Sequence, residues 1–128
     1  MKIRTLDEIG EETWNALVIA APEGSFFHLA QWKSVVSAGF GFQSEYLAVE
    51  DATGIVGILP LFVARRGPLG TALLSTPLCS VGGAISLYPE AAEFLEKAAI
   101  HKATRLGVDF VELRCANRRL EGWATHEQ

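Results

Sequence analysis

Three observations predict an α+β fold. Helical stripes occur early and late in the chain, short runs rich in β-branched residues lie between them, and turn-forming residues punctuate the changes of period. At 128 residues the chain is the size of one ordinary domain, and with 49% hydrophobic and 20% charged residues it can bury a core. The expected order is β-α-α-β-β-β-α-β.

Lys2–Leu6 reads as a short strand closed by Asp7. Trp14, Leu17, Val18 and Ala21 then recur at the spacing of one helical face, and Pro22 and Gly24 end that helix. After Ser25-Phe26-Phe27-His28, a second helical stripe at Trp32, Val35 and Val36 stops at Gly39-Phe40-Gly41. The period then shortens. Glu45–Glu50 and Ile55–Ala64 flank the turn Asp51-Ala52-Thr53-Gly54 and make a hairpin. Pro60 cannot donate a ladder hydrogen bond, so a bulge or a locally unpaired stretch is expected there.

Arg65–Gly70 is the next turn and Thr71–Ser75 the next strand, followed by an irregular segment, Thr76–Gly83. The clearest helix runs from Pro89 to Leu106: proline suits a first turn and Gly107 is a good terminator. Ala92, Leu95, Ala99, Ala103 and Leu106 form its buried stripe, while Glu93, Lys97, His101 and Arg105 form a solvated one. Val108–Cys115 is a final strand. Trp14, Leu17, Trp32, Val35, Leu59, Leu61, Leu95, Leu106, Val111 and Leu113 are expected to be buried.

Charge and composition narrow the function. Eleven Lys and Arg stand against 15 Asp and Glu, a net charge of -4, which disfavours a dedicated duplex-DNA binder. The longest apolar runs fall well short of the roughly 20 residues that span a bilayer, and Met1–Glu12 has no apolar signal core. A cytoplasmic protein without a transmembrane segment is therefore expected. Cys79 and Cys115 lie far apart, and neither they nor His28, His101 and His126 have metal-ligand spacing, so no metal site is expected.

Several residues invite a functional reading beside a structural one. His28, at a helix start beside Phe26 and Phe27, either packs or caps, or points into a cleft. Trp32-Lys33 is either a packed indole with a solvated lysine, or places an ammonium to meet a phosphate or carboxylate. Arg65-Arg66-Gly67 precedes a strand rather than a helix and reads as a charged hairpin turn. Gly82-Gly83, ahead of the long helix, is the better place for an anion or acyl-carrier contact, although Ala84–Pro89 intervene.

Taken in order, Phe26-Phe27-His28, Trp32-Lys33, Gly57-Ile58-Leu59-Pro60-Leu61, and Ser75-Thr76-Pro77-Leu78-Cys79 with Gly82-Gly83 resemble the N-terminal half of FemAB-type proteins. The branch associated with bacterial exopolysaccharide and PEP-CTERM systems is the nearest in pattern, and Val108–Arg114 is similar to its strand after the long helix. The resemblance implies a GNAT-like acyltransferase fold and a first half of a tandem protein, with residues 1–115 as one domain and 116–128 as a tail or truncated linker. It also implies acyl or aminoacyl transfer to a cell-envelope, peptidoglycan-type or exopolysaccharide precursor, with aminoacyl-tRNA or acyl-CoA as donor. The resemblance carries over to the Trp32-Lys33 pair; Lys33, Trp32, His28, Cys79, Gly82 and Gly83 together are the candidate substrate-binding residues, and no catalytic residue is assigned. A non-catalytic binding or assembly module is the alternative. A coenzyme A-dependent N-acetyltransferase is a third reading, against which stands the missing Arg/Gln-x-x-Gly-x-Gly/Ala loop. If the tandem reading holds, the Val108–Cys115 strand should present a free edge and the chain should self-associate.

Overall fold

The computed structural model describes residues 1–21, 28–65, 70–75 and 84–112. They form an α+β fold of two four-stranded sheets with helices on their faces. The chain opens with strand β1 (Lys2–Thr5), which passes directly into a single helical turn, α1 (Leu6–Ile9). A capping box makes that junction. Thr5 Oγ1 accepts from the Glu8 amide at 3.3 Å, and the Thr5 amide donates to Glu8 Oε1 at 2.9 Å. Leu6, expected to finish the strand, instead starts this turn.

Helix α2 (Glu11–Ala20) buries Trp14, Leu17 and Val18, with Ala21 following at its C-cap, so the expected stripe is the buried one. Helix α3 (Ala30–Phe40) ends on Gly41, whose φ of 70° is left-handed. The start of α3 is satisfied from α2: Asn15 Oδ1 accepts from the Ala30 amide at 2.8 Å, and Asn15 Nδ2 donates to Gln31 at 3.0 Å. On α3 Val36 is fully buried and Trp32 half-buried, but Val35 is 50% exposed. Val36 takes the inward position, and the adjacent residue is turned about 100° away from it.

The hairpin is longer than its apolar runs suggest. One arm comprises β2 (Gln43–Ser44) and β3 (Leu47–Asp51), the other β4 (Gly54–Leu59) and β5 (Leu61–Arg65). Pairing runs Gln43↔Val63 and Ser44↔Phe62 on one side of Pro60, and Leu47↔Leu59 and Ala48↔Ile58 on the other. The register is therefore unchanged across the interruption, and Pro60 sits where Tyr46 would be its partner. Without an N–H it breaks the ladder, and the two halves of the hairpin enter different sheets. β1-β3-β4-β7 is the order of the first, with β7 at Ile85–Ser86, and β2-β5-β6-β8 that of the second, with β6 at Thr71–Ser75 and β8 at Phe110–Glu112. The first sheet is antiparallel throughout; in the second, β6 and β8 are parallel. Between β7 and β8 runs α4 (Pro89–Leu106), capped by Gly107 at φ 71°.

Strand alternation divides the core. Ala48, Ile58 and Phe62 pack toward α2 and α3 with Trp14, Val18 and Val36, while Leu47, Val49, Leu59, Leu61 and Leu73 pack toward α4 with Ala91, Leu95, Ala99 and Ala103. A bulge between Val49 and Glu50 leaves Val56 as the extra residue of β4. On α4 the expected stripe holds at Leu95, Ala99 and Ala103. At its ends Ala91 takes the place of Ala92, and Leu106 is 42% exposed because the helix terminates there, past the sheet it covers. Val111 is half-buried, and Leu113 lies outside the described residues.

Candidate functional site

Three segments remote in sequence line one open groove of about 140 Å³. Thr5, Leu6 and Asp7 come from the β1–α1 junction, Lys33 from α3, and Ser44, Glu45 and Tyr46 from the hairpin arm where it passes between sheets. The capping box fixes the first wall, and the Leu6 amide donates to the Tyr46 carbonyl at 3.2 Å to join it to the third. The Glu45 amide donates to the Leu61 carbonyl at 2.8 Å, holding the arm in register opposite the Pro60 break. Tyr46 stacks on Trp14, with ring centroids 5.0 Å apart, and meets Phe62 edge-on at 5.4 Å. The floor is thereby anchored in the core.

The charges of the groove differ in their engagement. Glu45 Oε1 forms an ion pair with Lys102 Nζ of α4 at 3.2 Å, and its Oε2 accepts from Gln43 Nε2 at 2.9 Å. Both oxygens are taken and its charge is compensated. Among the described residues, the side chains of Lys33 and Asp7 form neither a hydrogen bond nor an ion pair. An ammonium in this setting keeps its donors available for an anionic group.

Of the residues singled out from the sequence, Lys33 lines the groove. Trp32 does not; it packs half-buried against the α2–α3 side of the core. His28 is fully buried, and its backbone carbonyl accepts from the Trp14 indole at 2.7 Å, so packing rather than a cleft is its place. The residue before α3 at its N-cap is Leu29, so His28 does not cap either. Cys79, Gly82 and Gly83 lie outside the described residues, as do Phe26, Phe27, Pro22 and Gly24.

Sequence reasoning missed Asp7, Ser44 and Glu45, whose juxtaposition with Lys33 has no local signature. Thr5 did carry one, the Thr-x-x-Glu spacing of the capping box. It also missed Glu96, a carboxylate only 4% exposed on α4. Among the described residues there is no group of three or more His, Cys, Asp or Glu placed to hold a metal ion, and no helix is long and apolar enough to cross a membrane.

No family model matches this chain, and no curated protein matches it. Among solved structures, the chain is similar to a point mutant of TTHA1254 from Thermus thermophilus, with a TM-score of 0.57 and 20% identity, over 87% of this chain and 73% of that one. At this identity the likeness speaks to fold alone.

Proposed function

We propose that this chain is a GNAT-like acyltransferase domain of FemAB type, the first half of a tandem enzyme that moves an acyl or aminoacyl group onto an amine of a cell-envelope or exopolysaccharide precursor. The observation that carries the proposal is the position of Lys33. The lysine of the Trp32-Lys33 motif lines an open groove, with no ion-pair partner among the described residues. The ordered short motifs along the sequence support the same reading, as does a fold in which one hairpin is shared between two sheets and a long helix leads into a parallel strand pair.

On this reading Lys33 binds a phosphate of the precursor as a point charge. The acceptor amine attacks the acyl carbon of an activated ester donor, aminoacyl-tRNA or an acyl-CoA thioester. The new C–N bond forms, the C–O or C–S bond breaks, and the amine proton ends on the leaving oxygen or sulfur. The protein's contribution would be positioning and stabilisation of the oxyanion.

A second reading, a cytoplasmic binding or assembly module, draws on the groove's described lining of one lysine, two carboxylates and hydroxyls, with no histidine. Thermal shift of the purified chain with coenzyme A, nucleotide-sugar precursors and aminoacyl-tRNA analogues tests both. A true ligand at about 100 times its Kd stabilises by ~2.7 kcal/mol. Lys33→Ala should abolish that shift for a phosphate-bearing precursor while leaving the unliganded melting temperature unchanged. An equal shift in the variant removes Lys33 from the site. Binding without transfer, in the full-length protein, selects the module.

The tandem reading carries self-association with it, through the edge of the strand that includes β8. Light scattering at micromolar concentration checks this, and a clean monomer mass opposes it.

A further inference from the structure

We propose that the groove takes a small zwitterion, with Lys33 pairing its anionic group and Asp7 its ammonium. The inference rests on the groove being a binding site and goes beyond the phosphate contact assigned to Lys33.

Three observations carry it. Lys33 and Asp7 line the same groove of about 140 Å³, and they are opposite in charge. They do not form an ion pair with each other, nor does either side chain pair elsewhere among the described residues. The third charge of the lining, Glu45, is already occupied at both oxygens by Lys102 and Gln43. What the groove offers a ligand is therefore one cation from α3 and one carboxylate from the β1–α1 junction. A purely anionic ligand would meet Lys33 but bring its charge near Asp7, and a purely cationic one would reverse the conflict. A molecule carrying both signs satisfies both walls and is selected against either half-charged analogue. The hydroxyls of Thr5 and Ser44 flank the same space.

The experiment titrates the full chain with phosphoethanolamine, with its N-acetyl derivative, which keeps the anion and loses the cation, and with ethanolamine. The backbone amide shifts of Ser44, Glu45 and Tyr46 report occupancy, independently of any transferase activity. Phosphoethanolamine should bind about tenfold more tightly than either analogue, the affinity change that one favourable charge contact supplies. Asp7→Asn should abolish that preference while leaving the N-acetyl derivative's affinity in place, and Lys33→Ala should weaken both phosphorylated probes. Glycine as a further probe distinguishes a carboxylate zwitterion from a phosphate one, and for either a preference over its N-acetyl derivative that is lost in Asp7→Asn supports the proposal. Equal affinity for phosphoethanolamine and its N-acetyl derivative, or a preference that survives Asp7→Asn, overturns the zwitterion while leaving the phosphate contact of Lys33 standing. No perturbation of these amides by any probe overturns both.

Discussion

Leu95 of α4 rests on the bare backbone of Gly57 in β4. A Cβ built on Gly57 would stand 3.0 Å from Leu95 Cδ1, 3.0 Å from Val49 Cγ1 and 3.3 Å from the Ile85 carbonyl oxygen. The glycine is needed for close approach, since it is what lets a fully buried leucine and three strands of the first sheet meet.

Gly57→Ala should accordingly destabilise the fold by about 1–3 kcal/mol, the usual cost of overpacking a filled core. Leu95→Ala alone should cost ~2–5 kcal/mol through the cavity it leaves. In the double variant the clash with Leu95 is relieved while those with Val49 and Ile85 remain, so the losses should be less than additive. Urea midpoints of the three variants measure this, and strict additivity would refute the contact.

Trp14 is fully buried and its indole N–H donates to the His28 carbonyl at 2.7 Å, joining α2 to the start of the α3 segment. Trp14→Phe keeps an aromatic ring against Tyr46 but removes the hydrogen bond to that carbonyl. A loss of about 1–3 kcal/mol is expected from the lost bond together with the smaller ring, read from the denaturation midpoint.

Asp51 closes the hairpin turn and ties it to α4. Its Oδ1 accepts from Thr53 Oγ1 at 2.6 Å and from the Thr53 amide at 2.8 Å, and its Oδ2 from Tyr88 Oη at 2.7 Å. The Thr53 hydroxyl first, then the Tyr88 phenol, hold the carboxyl down to about 2. A carboxyl depressed in the folded state stabilises above its unfolded pKa, near 4. That contribution is lost as pH falls from about 4 toward 2. Asp51→Asn should therefore flatten the acid side of the stability curve in that window, measured by urea midpoints at successive pH values. The same bond raises the Tyr88 phenol, chiefly through its hydrogen bond to Asp51. Its contribution is complete below the unfolded phenol pKa, near 10, and is lost as pH rises through the folded value. Asp51→Asn should return the ultraviolet titration of Tyr88 toward the ordinary phenol range.

Asp109 locks the parallel pair. Its Oδ2 accepts from the Thr71 amide at 2.7 Å, and its own amide donates to the Thr71 carbonyl at 2.7 Å. Asp109→Ala should raise hydrogen exchange at the Thr71 amide and cost about 1 kcal/mol. Asp109→Asn keeps an acceptor and should retain most of the protection. Unchanged exchange in the alanine variant would show that β6 and β8 hold without this bond.

Local chemistry alone determined a large part of this structure. The α4 boundaries follow from Pro89 and Gly107 because a missing N–H and a left-handed φ have only one suitable helix end each. The Trp14–Ala21 stripe and the hairpin about Asp51–Gly54 are equally local, set by side-chain period and turn residues. The tertiary structure decided what those signals cannot encode. Pro60 announces a break, but which strands lie beside each half of the hairpin, and hence that the break divides two sheets, depends on partners such as β7 and β8 from far along the chain. Val35 and Leu106 are apolar yet exposed, since burial depends on where a neighbouring element ends as well as on helical phase. The groove shows the same limit most sharply. Lys33 was legible as a cation on a helix, but Asp7 and Glu45 became its neighbours only when β1, α3 and the hairpin arm packed, and proximity of residues so distant in sequence is a property of the folded core that holds them.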